Sequence, residues 1–250
     1  MKGILIASFG TTAAETLERT IGAVERAAAE RWPGTPVYRA FTSPTVRRKL
    51  GEQGLPVEDV SAALERMAAD GIDEAEVKNT FVMAGLEYHR LLEDCRGVAG
   101  SFRSLTVSPP LLDSPEDITA VARLLLERHR DLPEDTALVL MGHGTGHRGD
   151  FAYGALDCAF RDLGRQDVFV ATIEGGSGIG GLLRRLAACH LRRVVLRPLL
   201  MTVGDHVKND MQGEQPDSWK NRLAAEGFRV SCLPEGLAEL PGIRDYILGR

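Results

Sequence analysis

Two histidines follow apolar, strand-like runs at turns that contain glycine. His143 stands between two glycines directly after the run 138–141, and His206 comes shortly after the run 194–200. Folding of a buried strand in an α/β sheet does not require a histidine at its end, so such a residue suggests a function. Neutral imidazole is the commonest protein ligand for a transition metal. Glycine beside a histidine lets the backbone turn sharply and a bulky ligand approach. The two histidines therefore predict a metal held in a cleft.

Glu174 is the third candidate ligand. It follows the predicted strand 168–173 and enters the glycine stretch 175–181. Ligands of open α/β sheets bind beyond the carboxyl ends of the strands, where all three side chains are expected to converge. Two histidines and a carboxylate suit a divalent first-row ion and leave coordination positions open, but they do not select among Co²⁺, Ni²⁺, Fe²⁺ and Zn²⁺. The alternative for each strand-end histidine is a hydrogen bond to its own loop.

The glycine stretch allows a second interpretation. Residues 176–181 match the pattern G-x-G-x-x-G between a strand and a helix, which is the context of dinucleotide binding. The ribose-binding acid expected about 20 residues further on is missing, because Asp205 comes too late. A glycine-rich turn that lets a flat ligand approach fits the pattern equally well.

Strand-like and helical runs alternate along the whole chain, which predicts an α/β fold with parallel sheets covered on both faces. Residues 4–11 resemble residues 138–145, so the chain is expected to contain two similar Rossmann-like lobes, each a four-stranded sheet, with the active-site cleft between them. The expected division is 1–125 for the N-terminal lobe and 126–250 for the lobe that carries the metal site. The predicted strands are 4–8, 37–41, 76–83, 105–107, 137–141, 168–173, 194–200 and 228–232, and one long helix is expected over 13–31.

Composition excludes several classes of partner. The formal net charge of −5 argues against nucleic acid or an anionic membrane surface, and no apolar run is long enough to span a bilayer. The N-terminus enters a strand without a signal-peptide pattern, so a cytoplasmic protein is expected. The four cysteines show no C-x-x-C pair and are expected to be reduced and buried. His129, among charged helical residues, is expected at the surface.

Several motifs, taken together, resemble the anaerobic sirohydrochlorin cobaltochelatases of the vitamin B12 pathway, a class II chelatase family related to ferrochelatase. The matching segments run in order through almost the whole chain: Ser8-Phe9-Gly10-Thr11, Arg39-Ala40-Phe41-Thr42-Ser43, Met141-Gly142-His143-Gly144, Glu174, Gly204-Asp205-His206, Asn209-Asp210-Met211 and Asp217-Ser218-Trp219-Lys220. A resemblance of this length is far more specific than a lone His-Gly pair.

The resemblance implies the chelatase fold and insertion of Co²⁺ into sirohydrochlorin or precorrin-2, without ATP and without an organic cofactor. It assigns metal binding and catalysis, including acceptance of pyrrole protons, to His143, Glu174 and His206. It assigns substrate binding to Glu87 and Gly144, together with Ser8, Phe9, Gly10 and Thr11. The alternative for Glu87 is a carboxylate favoured by the positive end of a helix dipole.

Other features of the site stay open at the level of sequence. His147 and Arg148 either line the site or begin a helix on a solvated face. The substrate's carboxylates need cations, for which the candidates are Arg39, Arg47, Arg48, Lys49 and Arg148. A ferrochelatase or nickel chelatase acting on a related tetrapyrrole and a non-catalytic metal- or haem-binding protein are the alternative functions. A homo-oligomer is neither predicted nor excluded.

Overall fold

The computed structural model describes all residues, 1–250, and the chain divides into two compact units. The first unit comprises residues 1–111 and 238–250, and the second comprises residues 112–237. The predicted division at residue 125 differs from this arrangement in two places. The helix expected to connect the lobes belongs to the second unit, and the C-terminal helix belongs to the first, because its apolar residues pack there.

Eight strands form two four-stranded sheets in which every neighbouring pair is parallel, as the sequence predicts. The strands are β1 (Lys2–Ser8), β2 (Val37–Phe41), β3 (Glu74–Asn79), β4 (Ser104–Val107), β5 (Thr136–Gly142), β6 (Val168–Thr172), β7 (Arg193–Pro198) and β8 (Arg229–Cys232). The strand orders β2-β1-β3-β4 and β6-β5-β7-β8 are equivalent, which confirms the internal resemblance of the two halves.

Two strands end at least two residues earlier than predicted. β3 stops at Asn79, whose side-chain amide donates to the carbonyl oxygen of Ser108 at 2.6 Å, and the chain then bends instead of continuing to residue 83. β7 stops at Pro198, which is paired with Met141 in the last ladder position and has no N–H to extend the pairing. Apolar residues beyond these points therefore line loops rather than strands.

Ten α-helices accompany the strands; nine lie between strands and the tenth follows β8. They are α1 (Ala14–Arg19), α2 (Ile21–Arg31), α3 (Pro44–Glu52), α4 (Val60–Ala69), α5 (Leu86–Val98), α6 (Pro115–Arg128), α7 (Phe151–Asp162), α8 (Ile179–Ala187), α9 (Trp219–Ala225) and α10 (Pro241–Leu248). The single helix predicted over 13–31 is interrupted at Thr20, which has φ −108° and ψ −85°. The Thr20 hydroxyl donates to the Thr16 carbonyl at 2.5 Å, a side-chain bond of the kind that bends helices.

The first sheet is buried on both faces. Leu5 and Val77 belong to a cluster with apolar residues of α4 and α5, whereas Ile4 and Ile6 point into a cluster with α2 and with Leu248 of α10. Burial of apolar area on two faces is the main force that holds such a sheet between helices. The position of Leu248, which is 1% exposed, explains why the C-terminal helix belongs to this unit.

The second sheet packs in the same way and contains a buried charge. Val139, Met141 and Leu196 join a cluster with α8 and α9. Arg197 of β7 is fully buried and donates at 3.0 Å to Nε2 of His129, which is itself 4% exposed. The expectation that His129 lies at the surface is therefore wrong, because this histidine supplies an acceptor for a buried guanidinium.

The four cysteines are all free, but only Cys95 is buried, and its burial raises the pKa of the thiol to about 12. Cys158 is exposed, against the expectation that every cysteine is buried. No helix is long and apolar enough to cross a bilayer.

Candidate functional site

The strand order of the second sheet explains which predicted residues meet. His143 follows β5 and His206 follows β7, and these two strands are neighbours in the sheet. Their imidazole rings lie 4.7 Å apart between centroids with the planes at 90°. Glu174 follows β6, on the opposite side of β5. The chain changes direction across the sheet between β5 and β7, which is the place where open α/β sheets bind ligands.

The hydrogen bonds of the two histidines determine which ring nitrogen is available. Nδ1 of His143 lies 2.8 Å from the Gly144 carbonyl oxygen, and Nδ1 of His206 lies 2.6 Å from Oδ2 of Asp210. A carbonyl and an ionised carboxylate accept hydrogen bonds only, so each Nδ1 carries a proton. Neither Nε2 has a hydrogen-bond partner, which leaves this nitrogen of each ring with a lone pair for a metal or a proton.

The loop that carries Glu174 lies directly against the His143 turn. The Glu174 amide donates to the His143 carbonyl oxygen at 2.8 Å, and the Ile173 amide donates to that of Gly142 at 3.0 Å. Gly144 has φ +79°, and a Cβ there would lie 1.7 Å from the Glu174 carbonyl oxygen. Only glycine fits this position, because it alone combines the left-handed backbone with the close approach of a second chain segment.

Asp150 joins the same two loops through its carboxylate. Oδ1 accepts from the Thr145 amide at 3.0 Å, and Oδ2 accepts from the Gly176 amide at 3.3 Å. Hydrogen bonds to an ionised carboxylate are stronger than neutral ones. Asp150 therefore holds the turn after β5 and the turn after β6 in a fixed relation.

Three or more metal-ligating side chains are not grouped anywhere in the chain. The structure thus brings the imidazoles of His143 and His206 together, and it brings the backbone of Glu174 next to His143. The role of the Glu174 carboxylate as a ligand stays a prediction.

Tyr153 supports the turn after β5 from below. The ring is 3% exposed and packs against Gly142, where a Cβ would lie 2.5 Å from Cε1. The backbone of His143 and Gly144 hydrogen-bonds to its oxygen, and burial raises the pKa of the phenol to about 12. Tyr153 is therefore a neutral packing and hydrogen-bonding group beneath the turn that carries His143.

His147 and Arg148 behave differently from each other. Nδ1 of His147 accepts from the Gly149 amide at 3.1 Å and caps the short turn Arg148–Asp150 that leads into α7. Arg148 is exposed and makes no ion pair. The local turn thus engages the His147 side chain, whereas the guanidinium of Arg148 is available to an anion.

In the first unit, the predicted substrate-binding segment after β1 is mostly buried. Ser8 is 1% exposed and its hydroxyl accepts from that of Thr80 at 2.9 Å, and Gly10 and Thr11 are buried as well. Phe9 differs, because half of its surface is exposed at the carboxyl end of the strand. Of this segment, Phe9 presents the side chain that a ligand can reach.

Glu87 lies near the start of α5, as expected from the strand-end position after β3. Its Oε1 pairs with Arg90 at 3.1 Å, whereas Oε2 is buried without a hydrogen-bond partner. A buried carboxylate oxygen that lacks a partner is costly unless a ligand or a proton satisfies it. This favours a functional role over the helix-dipole alternative.

Sequence reasoning assigned no role to Asp150 or Asp210, but the sequence carries a local signal for one of them. Asp210 follows His206 by four residues, a spacing that places two side chains on one side of a helical turn. Asp150 has no such signal, because both of its partners are fixed only when the loops after β5 and β6 fold together.

The fold of the chain is that of SirB from Bacillus subtilis, whose structure with Fe³⁺ superposes with a TM-score of 0.66 at 14% identity and covers all of this chain and 93% of that one. This likeness defines a two-sheet α/β protein of the SirB fold.

Sequence comparison defines the family. Residues 2–250 match the model of the cobalt chelatase (CbiK) family, and the chain belongs to that family. The sirohydrochlorin cobaltochelatase of Salmonella typhimurium is 32% identical over 97% of this chain and 92% of its own length. The sirohydrochlorin cobaltochelatase CbiKC of Nitratidesulfovibrio vulgaris is 35% identical over 99% of this chain and 88% of its own length.

Proposed function

We propose that this protein inserts Co²⁺ into sirohydrochlorin or precorrin-2, with His143 and His206 as the metal-binding residues. The proposal is supported by membership of the cobalt chelatase family. It is also supported by two curated relatives, both sirohydrochlorin cobaltochelatases, whose alignments with this chain cover most of their lengths. The observation that carries it is the perpendicular pair of imidazoles, each with its Nε2 unpartnered, at the ends of adjacent strands.

The separation of the rings agrees with two neighbouring ligands of one ion. With a metal–nitrogen distance of about 2.1 Å and a ring centre about 1.1 Å beyond the nitrogen, two imidazoles at a right angle about a metal have centres about 4.5 Å apart. The observed centroid distance is 4.7 Å. Two protein nitrogens leave most positions of the ion to water and to the incoming pyrrole nitrogens, so the ion is held and can still be transferred.

Proton transfer is the second task of the site. Insertion of one divalent ion forms four metal–nitrogen bonds and releases two pyrrole protons. Imidazole whose Nε2 bears a lone pair accepts a proton within the physiological range of pH. As the ion moves from the histidines to the macrocycle, the Nε2 atoms become free to accept these protons. Glu174, beside His143 in the chain's folded backbone, is the proposed third ligand and proton acceptor.

The remaining proposed contacts concern the macrocycle. Phe9 offers an exposed ring for a flat tetrapyrrole, and Glu87 offers an unpartnered carboxylate oxygen that suits a pyrrole N–H. Gly144 has no side chain next to His143, which leaves room for a flat ligand to approach the imidazole. Among the cations considered for substrate carboxylates, Arg39, Arg47 and Arg48 already pair with acidic residues, which favours Arg148 and Lys49, both exposed and without an ion pair.

A spectroscopic assay tests the proposal. Sirohydrochlorin and Co²⁺ are mixed with the wild-type protein, without ATP or an organic cofactor, and metallation is followed by the change in tetrapyrrole absorbance. We expect wild-type protein to accelerate metallation above the uncatalysed rate. The single variants His143→Ala and His206→Ala should each lose most of that acceleration while staying folded. Wild-type protein that binds Co²⁺ but does not accelerate metallation would support the binding-protein alternative.

Metal competition separates cobalt insertion from its closest rivals. Equal concentrations of Co²⁺, Fe²⁺ and Ni²⁺ are offered under anaerobic conditions, and the metallated products are separated. Since imidazole and carboxylate accept all three ions, selectivity for Co²⁺ must arise during transfer to the macrocycle. Preferential formation of the iron or nickel product would show that cobalt is not the preferred metal, while the proposal that the protein is a chelatase would stand.

A further inference from the structure

The two histidines of the site have different partners at Nδ1. The partner of His143 is the neutral carbonyl oxygen of Gly144 at 2.8 Å, whereas the partner of His206 is the carboxylate of Asp210 at 2.6 Å. Metal-binding histidines usually donate their second N–H to such a group, which fixes the tautomer and the orientation of the ring, and an anionic partner makes the ring a stronger donor. The two rings are therefore not equivalent ligands.

A π-helical turn, Val207–Met211, places Asp210 beside His206. Its wide backbone is closed by a bond from the Gln212 amide to the Val207 carbonyl at 3.2 Å. Val207 and Met211 are fully buried, so the turn is anchored in the core, while the side chains of His206 and Asp210 are each 43% exposed. Turns of this type are frequent at functional sites.

A close approach behind the turn holds it in shape. At Gly213 a Cβ would lie 2.3 Å from the Asn209 carbonyl oxygen, so a larger residue would displace the backbone next to Asp210. The Gly213 amide donates to that same oxygen at 3.1 Å. The position of the Asp210 carboxylate is thus determined by the backbone around it and not only by its bond to the histidine.

We propose that Asp210 is a positioning residue for His206: its carboxylate accepts Nδ1–H, holds the ring as the Nδ1–H tautomer and leaves Nε2 for Co²⁺. The inference rests on the proposed function. In this division of tasks His206, with its anionic partner, is the tighter ligand of the incoming ion, and His143, with its neutral partner, is the weaker one. Asp210 itself does not contact the metal or the macrocycle.

The competing explanation is an ordinary helix-surface ion pair. Exposed pairs four residues apart add little to the stability of a helix and have no effect on a reaction. The two explanations differ in what an amide can replace. An asparagine in place of Asp210 would keep an oxygen acceptor for Nδ1–H, whereas an alanine would remove it. A positioning role therefore predicts a loss with alanine and a partial rescue with asparagine, whereas a surface ion pair predicts no loss with either.

The experiment compares Asp210→Ala, Asp210→Asn and the matched control Glu214→Gln, which removes an exposed carboxylate from the same segment. Affinity for Co²⁺ alone is measured by titrating the visible absorption of protein-bound cobalt, and kcat and KM for Co²⁺ are measured with sirohydrochlorin. We expect Asp210→Ala to weaken Co²⁺ binding by about 10- to 100-fold and to raise KM for the metal accordingly. Asp210→Asn should recover part of this loss, because it restores the acceptor for Nδ1–H but not the negative charge, and Glu214→Gln should match the wild type.

A measurement on the wild-type protein keeps the test independent of variant folding. The ¹⁵N shifts of the His206 ring report which nitrogen carries the proton, and we expect the Nδ1–H tautomer. A dominant Nε2–H tautomer would overturn the proposal, as would unchanged Co²⁺ affinity in a folded Asp210→Ala variant. If wild-type protein inserts cobalt and Asp210→Ala does so equally well, the inference fails alone, whereas wild-type protein that does not metallate sirohydrochlorin refutes the proposed function.

Discussion

The carbonyl oxygen of His143 accepts a hydrogen bond from the amide of Glu174 at 2.8 Å, so the loops after two neighbouring strands are joined at the residues expected to handle the metal. The same ladder continues through Ile173 and Gly142. Separating the two loops would therefore break these backbone hydrogen bonds. The geometry of the site is a property of this pair of loops, which makes their backbone as important as their side chains.

Gly144→Ala should disable the site while leaving the fold largely intact. The alanine Cβ would meet the Glu174 carbonyl oxygen at 1.7 Å and would need the left-handed backbone that only glycine adopts readily, so the two loops must separate. Displacement of reacting groups by about 1 Å can cost about 100-fold in rate, and we expect a loss of this order in cobalt insertion. The measurement is the metallation rate together with the circular dichroism spectrum.

Gly146→Ala is the matched control for this substitution. Gly146 lies in the same loop, but a Cβ there has no atom within 4 Å and the backbone is not left-handed. Its activity should stay within about twofold of the wild type, as for most surface substitutions. Equal activity of the two variants would show that the loop contact at Glu174 does not control the site.

Asp150→Ala should loosen both loops at once. It removes the acceptors of the Thr145 and Gly176 amides, and loss of charge-assisted bonds of this kind costs about 1–3 kcal/mol. We expect the free energy of unfolding in urea to fall by that amount and the metallation rate to fall with it. Asp162→Ala, which removes an exposed carboxylate from the other end of α7, should change neither quantity; a comparable loss there would mean that net charge and not the loop contact is responsible.

The parts of this structure that follow from local pattern were predictable from the sequence. Apolar runs of strand length identified all eight strands, and the residues at their carboxyl ends identified His143 and His206 as neighbours in space. The error at Thr20, where one predicted helix is two, arises from a side-chain bond to Thr16 that periodicity does not reveal. Asp210 was within reach of the same reasoning, since its spacing from His206 is local.

Features that depend on tertiary packing could not be predicted in this way. His129 looks like a surface residue in its own helix, but Arg197, which is 68 residues away, requires it as an acceptor in the core. The C-terminal helix carries no sequence signal for the first unit, because docking of Leu248 depends on a surface made by β1 and α2. The role of Asp150 could not be predicted for the same reason, since the two loops that it joins meet only in the folded protein.

Glu87→Gln should reduce activity without reducing stability. The carboxylate has one oxygen paired with Arg90 and one oxygen buried without a partner, so the charge is not required by the fold. If Oε2 binds the substrate, loss of a charged hydrogen bond worth about 1.5–3 kcal/mol lowers kcat/KM by about 10- to 100-fold. Metallation kinetics and urea denaturation give the two readouts.

Arg90→Gln is the control for Glu87. It removes the partner of Oε1 and leaves the carboxylate, and an exposed pair three residues apart contributes less than about 1 kcal/mol. We therefore expect near-normal activity from Arg90→Gln. If this variant loses as much activity as Glu87→Gln, the ion pair and not the unpartnered oxygen is the functional element.

Because of His129, the free energy of unfolding should decrease as the pH is lowered in the acid range. Burial and the neighbouring guanidinium of Arg197 lower the pKa of this imidazole to about 4, whereas an unfolded histidine titrates near 6.5. Between these two values the unfolded state binds a proton that the folded state does not, so the free energy of unfolding decreases as pH falls, by up to about 3 kcal/mol in total. His129→Gln keeps an oxygen acceptor for Arg197 but does not titrate. Its urea stability, measured at pH 7, 6 and 5, should therefore decline less steeply than that of the wild type. The control His190→Gln, which changes an exposed histidine, should follow the wild-type slope. Equal slopes for the wild type and His129→Gln would show that His129 does not cause the pH dependence.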